Sequence, residues 1–339
     1  MNRSRVTLLD VAVAAGVSRT TASVALGGSG RVSPATVDHV RAVAARLGYH
    51  GNDAARNLRR GRAGIIGLYL PVDIGTLEYY MRFVFGAAEQ ARVRGFALTI
   101  LLAGHDLSSL PDRVDGVIAV DPLAADAGLQ ALIRAEFPVV CNERIPDAPD
   151  APVPVVEPDH DQVMTTLLDH LADRGAERVA FIAAGDNTSW GRRTAAAYAG
   201  WCDRHERRAL LRQTSFTASA DHVADVARDL VADPRRPDAV ISAPDGAAIG
   251  VLDAARSQGL VVGGDILVAA AVDSSAFRLV RPGITAVDHY PARIGAQCTD
   301  LVTDWVESGA RPPAPPRLRF DLIARGSTGG AVPASVPAR

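Results

Sequence analysis

The sequence predicts a small all-α module over residues 1–50 in front of two doubly wound α/β lobes. Three observations predict it. Thr7–Leu26, TLLDVAVAAGVSRTTASVAL, reads as two short helices meeting at a glycine turn. From Ile65 onward, short apolar runs alternate with helical stretches in two series, separated by a proline-rich segment. Charge is divided just as sharply. Residues 1–62 hold ten Arg and three Asp, a balance of +7, whereas the remainder holds 26 basic and 35 acidic residues, a balance of −9.

Each element of the front module carries its own start or stop signal. Thr7 and Asp10 have capping-box spacing, in which each side chain satisfies the other's free backbone donor. Leu8, Val11, Ala12 and Ala15 form one apolar stripe at helical spacing. Gly16 supplies the turn, since it adopts positive φ without steric cost. Ser18 caps a second helix, which Val24, Ala25 and Leu26 continue. After the loop GGSGRVSPAT, Ser33 is the expected N-cap and Pro34 takes the first helical position, where its missing N–H costs nothing. Val37, Val40, Val43, Ala44 and Leu47 give the third helix its stripe, and Gly48 ends it. Helix, glycine turn, helix is the shape that lays a second helix in the DNA major groove. Taken alone, Thr7–Leu26 fits an ordinary helical hairpin of an enzyme equally well.

Residues 51–63, GNDAARNLRRGRA, carry four Arg and little apolar surface. A helix this short is marginal in isolation. It reads either as a solvated linker or as a segment that folds on meeting phosphate charge.

In the body, IIGLYLP reads as a buried strand and FALTILLA, VDGVIAVDP and FPVVCNE as three further strands, with a helix over 77–94. After Pro146, Pro149, Pro152 and Pro154 the pattern restarts with RVAFIAA, DAVISAPD and DILVAAAVD, among helices over 161–174, 193–204 and 247–257. Such alternation defines doubly wound sheets, whose ligands sit at the carboxyl ends of the strands. The segment between FALTILLA and VDGVI is too short for a full crossover helix, so the first lobe has lost or truncated one.

Composition narrows the function classes. All 36 cations of Lys+Arg are Arg, which removes a Walker lysine and a Schiff-base lysine. Cys141, Cys202 and Cys298 have neither metal-ligand nor disulfide-framework spacing. No G-x-S-x-G elbow, glycine-rich phosphate loop or metal-spaced His cluster is present, so no enzyme, no cofactor and no metal are expected. His160, between Asp159 and Asp161, is read as part of a polar loop. The N-terminus lacks a signal-peptide pattern and no run reaches membrane-spanning length, so a soluble, cytoplasmic protein without membrane partners is expected. A basic module before an acidic body points to a polyanion partner for the front alone.

Nearly the whole chain resembles the LacI/GalR family of ligand-responsive transcription factors. The resemblance rests on TLLDVAVAAGVSRTTASVAL, RVSPATVDHVRAVAARLGYHGNDAARNLRRGRAGIIGL, VDGVI, ERVAFI, PDAVISAPDGAAIGVLDAAR, AVD, ITAVDH and ARGSTG. It implies a helix-turn-helix DNA-binding domain at 1–50, a hinge helix and linker at 51–63, and a periplasmic-binding-protein-like sensor at 64–339. Within the sensor, the N-lobe is expected at about 64–158 and 288–316, the C-lobe at about 159–287 and a tail at 317–339. The two-lobed part alone would also fit a solute-binding receptor of a transport system, which is the alternative reading.

The resemblance also assigns residues. Arg19 and Thr20 are placed as base readers, and an Arg fork matches guanine O6 and N7. Thr7, Ser18, Thr21, Ser23, Arg56 and Arg59 are placed on the DNA backbone, although Thr21 and Ser23 fit helix surface or local backbone bonding too. Val24 stands where the family usually has a polar reader. Leu58 matches the hinge leucine that wedges between base steps in the minor groove. For the effector, the resemblance implies Tyr79, Arg144, Trp190, Arg192, Asp245 and Asp273. Arg144 fits a structural role as well, Asp245 a helix N-cap, and Trp190 either sugar stacking or ordinary packing. Pro244 replaces a usual Asn, and Thr194 falls where the pocket Arg is counted back from Tyr198. The expected function is a dimeric, sequence-specific repressor on a pseudo-palindromic operator, controlled by a sugar or related metabolite in the cleft between lobes.

Overall fold

The computed structural model describes residues 6–27, 32–49, 61–71, 78–215, 220–244, 246–313 and 315–329. Two compact units divide the chain at Gly64 and Ile65.

The first unit contains helices α1 (Leu8–Ala14), α2 (Arg19–Gly27) and α3 (Pro34–Leu47). The Thr7 N–H donates to Asp10 Oδ2 at 2.8 Å, and the Asp10 N–H to Thr7 Oγ1 at 3.3 Å, forming the reciprocal cap. Gly16 has φ of +64°, and α1 and α2 meet at 105°. Ser33 Oγ caps α3, and Gly48 ends it in the left-handed conformation. Val11, Ala12, Ala15, Ala22, Ala25, Val40, Val43 and Ala44 are the buried core. Small residues dominate it, which lets three short helices approach closely.

The second unit holds two sheets. Strands β1 (Ile65–Leu70), β2 (Ala97–Leu102), β3 (Gly116–Val120) and β4 (Val139–Asn142) form a parallel sheet in the order β2-β1-β3-β4. Helix α4 (Glu78–Arg94) follows β1, and α5 (Ala127–Arg134) joins β3 to β4. As the short spacing predicts, β2 passes to β3 without a full helix. A single 3-10 turn, Leu110–Asp112, lies there, and buried Leu107 and Leu110 fill that side of the sheet.

The other sheet has the order β10-β9-β8-β7-β5-β6. Its strands are β5 (Val179–Ala183), β6 (Leu210–Gln213), β7 (Ala239–Ser242), β8 (Leu267–Ala270), β9 (Thr285–Asp288) and β10 (Asp321–Ile323). Its helices are α6 (His160–Ala172), α7 (Ser189–Arg204), α8 (Ala220–Ala232) and α9 (Ala247–Ser257). All of these strand pairs are parallel except β9–β10, so an antiparallel edge strand closes an otherwise parallel sheet. Segment 321–323, expected in a tail outside both lobes, is that edge strand.

Helix α10 (Pro291–Ser308) returns to the first lobe and packs along α4. The contact requires glycine on both sides. A Cβ on Gly86 would lie 2.0 Å from the Ala292 carbonyl oxygen, and one on Gly295 2.3 Å from that of Phe83. The central strands of each sheet are covered on both faces by separate apolar clusters, which explains why they read as continuous apolar runs, whereas the edge strands β2 and β6 are largely exposed. Helices α5, α8 and α10 and strands β6, β9 and β10 are additions to the sequence reading. Helix α7 starts four residues before its expected 193, because Thr188 Oγ1 accepts from the Gly191 N–H.

Candidate functional site

In the first unit, α2 begins at Arg19, and Arg19 and Thr20 are exposed. Thr21, Ser23 and Val24 are half-buried. Three of the proposed phosphate-binding hydroxyls have local partners. Ser18 Oγ and Thr21 Oγ1 lie 2.8 Å apart, and Ser18 Oγ also accepts from the Thr21 N–H at 3.0 Å. The Thr7 hydroxyl donates to Asp10. His39 Nε2 lies 3.2 Å from the Ala15 carbonyl oxygen and ties α3 to the turn that orients α2. Arg56, Leu58 and Arg59 lie outside the described residues.

In the second unit, a cavity of about 80 Å³ opens between the lobes at the carboxyl ends of their strands. Tyr79, Tyr80, Asp121, Glu143, Pro158, His160, Ala184, Trp190, Ala243, Pro244, Val272, Asp273 and His289 line it. Of the residues implied by the resemblance, Tyr79, Trp190 and Asp273 are brought together here. Trp190 also packs against the core of its own lobe. Asp273 receives two bonds from Arg325, at 2.7 and 3.0 Å.

Arg144 and Arg192 are not among the lining residues. Arg144 Nε donates to Glu157 Oε1 at 2.9 Å, and Arg193 lies on the same carboxylate oxygen at 2.9 Å. Arg192 reaches the Pro146 carbonyl at 3.2 Å and Asp147 at 3.3 Å, joining the start of α7 to the opposite loop. Thr194 is buried, with its hydroxyl donating to the Trp190 carbonyl at 2.8 Å. Asp245 lies outside the described residues, and the N-cap position of α9 belongs to Gly246, with φ of +73°.

His160 corrects the sequence reading most plainly. Instead of sitting in a polar loop, it is the first residue of α6, is 1% exposed and faces Glu143, with Nε2 2.7 Å from Glu143 Oε2. Asp159 alone acts as the polar cap, accepting from the Gln162 N–H at 3.3 Å.

Four further cavity residues escaped the sequence. Tyr80 donates to Asp121 Oδ2 at 2.7 Å. Asp121 and Glu143 follow directly on β3 and β4, both buried and both at positive φ, 42° and 77°. Non-glycine residues are rarely held there, and such positions cluster at functional sites. Burial and the neighbouring Glu143 charge push Asp121 up to about 7. His289 Nε2 lies 2.8 Å from the Ala271 carbonyl, and burial pulls this imidazole down to about 4. The only signal in sequence for Asp121 and Glu143 was an acid following an apolar run.

Glu143, Glu157 and His160 bring one potential metal-ligand atom each within 4.8 Å of one another. Two guanidinium groups already neutralise Glu157, and Glu143 engages His160, so the trio has the chemistry of a salt-bridged network rather than of a metal cage. A second space of about 440 Å³ adjoins Asp273 and is lined by Glu78, Arg82, Ser275, Arg278, Asp288, Ile323 and Arg325. Across it, Glu78 of α4 accepts from Ser274 and Ser275, and Arg82 pairs with Asp288 at 3.5 Å.

A helix-turn-helix module followed by a two-lobed sensor with a cavity between its lobes is the build of a ligand-responsive transcriptional regulator. Comparison with known proteins places it further. Residues 7–52 match the model of bacterial regulatory proteins of the lacI family, and residues 168–328 that of the periplasmic binding protein-like domain. The HTH-type transcriptional regulator PtxS of Pseudomonas plecoglossicida is 30% identical over 336 residues, 96% of each chain. CelR of Thermobifida fusca is 28% identical, over 96% of this chain and 99% of its own. Among solved structures, a lac repressor dimer bound to operator and the anti-inducer ONPF shares the fold with TM-score 0.79 at 23% identity, covering 96% of this chain and 99% of that one. A complex of the transcriptional regulator CelR with cellobiose matches with TM-score 0.72 at 25% identity, covering 95% of this chain and all of that one. The chain belongs to the lacI family of bacterial transcriptional regulators. Among the described residues, no single helix is long and apolar enough to cross a membrane.

Proposed function

We propose that the protein is a cytoplasmic repressor that binds a pseudo-palindromic operator as a homodimer and is controlled by a small molecule between its lobes. The observation that carries the DNA reading is the exposed pair Arg19 and Thr20 at the start of α2, held at 105° to α1 by a packed three-helix core. The N-terminal residues of a recognition helix meet base edges from such a position, and Arg fits guanine bidentately. Phosphate contacts then fall to Thr7, Ser18, Thr21, Ser23, Arg56 and Arg59. Leu58 serves as the minor-groove wedge, within a hinge at 51–63 between a DNA-binding domain at 1–50 and a sensor at 64–339.

An exposed apolar stripe supports pairing of two copies. Met81 and Phe85, one turn apart on α4, and Ile100 and Leu102 on the neighbouring β2 are between 44% and 66% exposed. Large apolar side chains left exposed on neighbouring elements fit an interaction surface, and a twofold dimer presents two recognition helices to a twofold site.

Tyr79, Trp190 and Asp273 support a ligand in the cavity, with aromatic faces for its apolar part and an acid for its polar part. Cellobiose in the CelR complex favours a sugar or related metabolite in the same cleft. A ligand there shifts DNA affinity only by its differential affinity for two lobe arrangements. Fluorescence anisotropy of operator DNA against salt tests the DNA reading. Six to ten phosphate contacts predict an affinity loss of about 10³–10⁵ between 50 and 200 mM salt. A flat salt dependence overturns it.

A further inference from the structure

The carboxylates around the cleft are not equally compensated. Asp273 is paired with Arg325, Glu157 with Arg144 and Arg193, and Asp288 with Arg82. Glu78 receives two hydroxyls and a backbone N–H from Ser274 and Ser275. Asp121 and Glu143 differ. Asp121 has the Tyr80 hydroxyl, Glu143 has His160, and no arginine is paired with either among the described residues.

Both are buried, at 6% and 3% exposure, and both line the cavity. Among the described lining residues there is no Arg, and the chain contains no Lys. His289 is held neutral by burial, so it adds no compensating charge, and His160 is one imidazole set against two carboxylates. Burial first, and then repulsion from the neighbouring Glu143, hold a proton on Asp121 up to about 7, against the opposing pull of the Tyr80 hydroxyl and His160. A positive charge arriving from outside would give fuller relief. The rest of the lining suits the body of such a ligand. Tyr79, Tyr80 and Trp190 offer aromatic faces, and Pro158, Pro244 and Val272 offer apolar walls. A cation over an aromatic face in a desolvated site gains further attraction. His160 Nδ1 is buried without a hydrogen-bond partner, which leaves one polar atom beside the pair unused.

We propose that the ligand of this cavity is an organic cation, an amine-bearing metabolite whose ammonium sits against Asp121 and Glu143 with its apolar part between Tyr79 and Trp190. The inference rests on the reading of the cleft as the effector site and names the ligand's chemical class. It also fixes the geometry. The ammonium lies at the carboxyl ends of β3 and β4, where the left-handed backbone of Asp121 and Glu143 brings the two acids to the cavity wall. Ammonium–carboxylate hydrogen bonds are about twice as strong as neutral ones, so an amine is preferred over the hydroxyl of the same shape.

Matched pairs test this on the full chain: glucosamine and glucose, galactosamine and galactose, cyclohexylamine and cyclohexanol. Binding is read by thermal shift and calorimetry at pH 6 and pH 8. The expected result is that at least one amine binds about tenfold or more tighter than its neutral partner, a difference of about 1.4 kcal/mol. For cyclohexylamine, whose ammonium stays charged from pH 6 to pH 8, affinity rises with pH as Asp121 loses its proton, and Asp121→Asn and Glu143→Gln each abolish the preference of any amine that binds. Tighter binding by the neutral members, silence of every amine, or an amine preference that survives both substitutions overturns the inference. Operator binding separates this failure from that of the regulator reading. A neutral or anionic ligand that alters DNA affinity leaves the regulator intact and removes the cation, whereas a chain that binds no DNA removes the regulator itself.

Discussion

Ser275 donates both its backbone N–H and its hydroxyl to Oε2 of Glu78, at 2.7 and 2.8 Å, and the Ser274 hydroxyl adds a third bond at 3.0 Å. Glu78 opens α4 on the first lobe, and Ser275 begins a 3-10 turn on the second, so this contact joins the lobes across the cleft. Hydrogen bonds to a charged group contribute about 1.5–3 kcal/mol each when sheltered, and Glu78 is only half-buried. Glu78→Ala is therefore expected to cost the body about 1 kcal/mol, lowering Tm by about 2–4 °C. Glu78→Gln, which keeps an acceptor, should recover part of the loss. Equal Tm for all three proteins would show that the contact holds nothing.

The two helices α4 and α10 touch through glycine. Gly86→Ala and Gly295→Ala each force a Cβ into a backbone carbonyl at 2.0 and 2.3 Å, so each is expected to destabilise the body by about 1–3 kcal/mol. Gly200 in α7 is the control, because a Cβ there meets only the flexible end of Arg204 at 3.4 Å. Gly200→Ala should be neutral or stabilising by about 0.5–1 kcal/mol, since Ala is the better helix former. Chemical denaturation of the three variants checks the ranking.

Asp121 makes stability depend on pH with a defined sign. Its pKa is raised by burial to about 7 from 3.8, so the folded protein holds a proton that the unfolded chain releases between those values. The contribution is fully present below about pH 4 and is lost as pH rises through 7. Facing groups are Tyr79 and Tyr80 from α4, Glu143 after β4, His160 from α6 and His289 after β9. His289, lowered to about 4, imposes the opposite slope, as does His170, also lowered to about 4 by burial. The difference between wild type and Asp121→Asn isolates the one group. The variant should gain on the wild type as pH rises from 4 to 8, ending more stable by a few kcal/mol, about 1.4 per unit of pKa shift. A pH-independent difference would refute the assignment.

Much of this architecture is legible in the chain, for physical reasons that differ by segment. Thr7–Leu26 shows itself because caps and a glycine turn are local chemistry, and the Thr7–Asp10 box forms as its spacing predicts. The buried central strands show as apolar runs because both their faces are covered. Helix α5 is harder to see: at Ala127–Arg134 it is short and lies in an alanine-rich stretch, with Asp126 as its one local start signal. The cavity is the least legible part. Asp121, Glu143, His160 and His289 are far apart in sequence and meet only through the strand order of two sheets. His160 misleads because Asp159 and Asp161 give it a polar setting, whereas helical geometry turns the middle residue inward. Asp121 and Glu143 have left-handed backbones that no local pattern announces.

Arg19 and Val24 make contrasting predictions within α2. Arg19→Ala should weaken operator binding by about 1–3 kcal/mol, roughly 5- to 150-fold, without changing the melting of a module in which Arg19 is exposed. Val24→Ala removes at most an apolar contact with a thymine methyl and should cost under about 1 kcal/mol. A gel-shift series on one operator distinguishes them, and the reverse order would move base reading away from the start of α2.

Selection of binding sites from random duplex DNA by the full-length chain tests the central claim most directly. The account predicts enrichment of one twofold-symmetric sequence, with the two half-sites about 10 base pairs or a multiple apart, whose enrichment disappears in Arg19→Ala. No enrichment, or an asymmetric single site recovered equally well by Arg19→Ala, would contradict it.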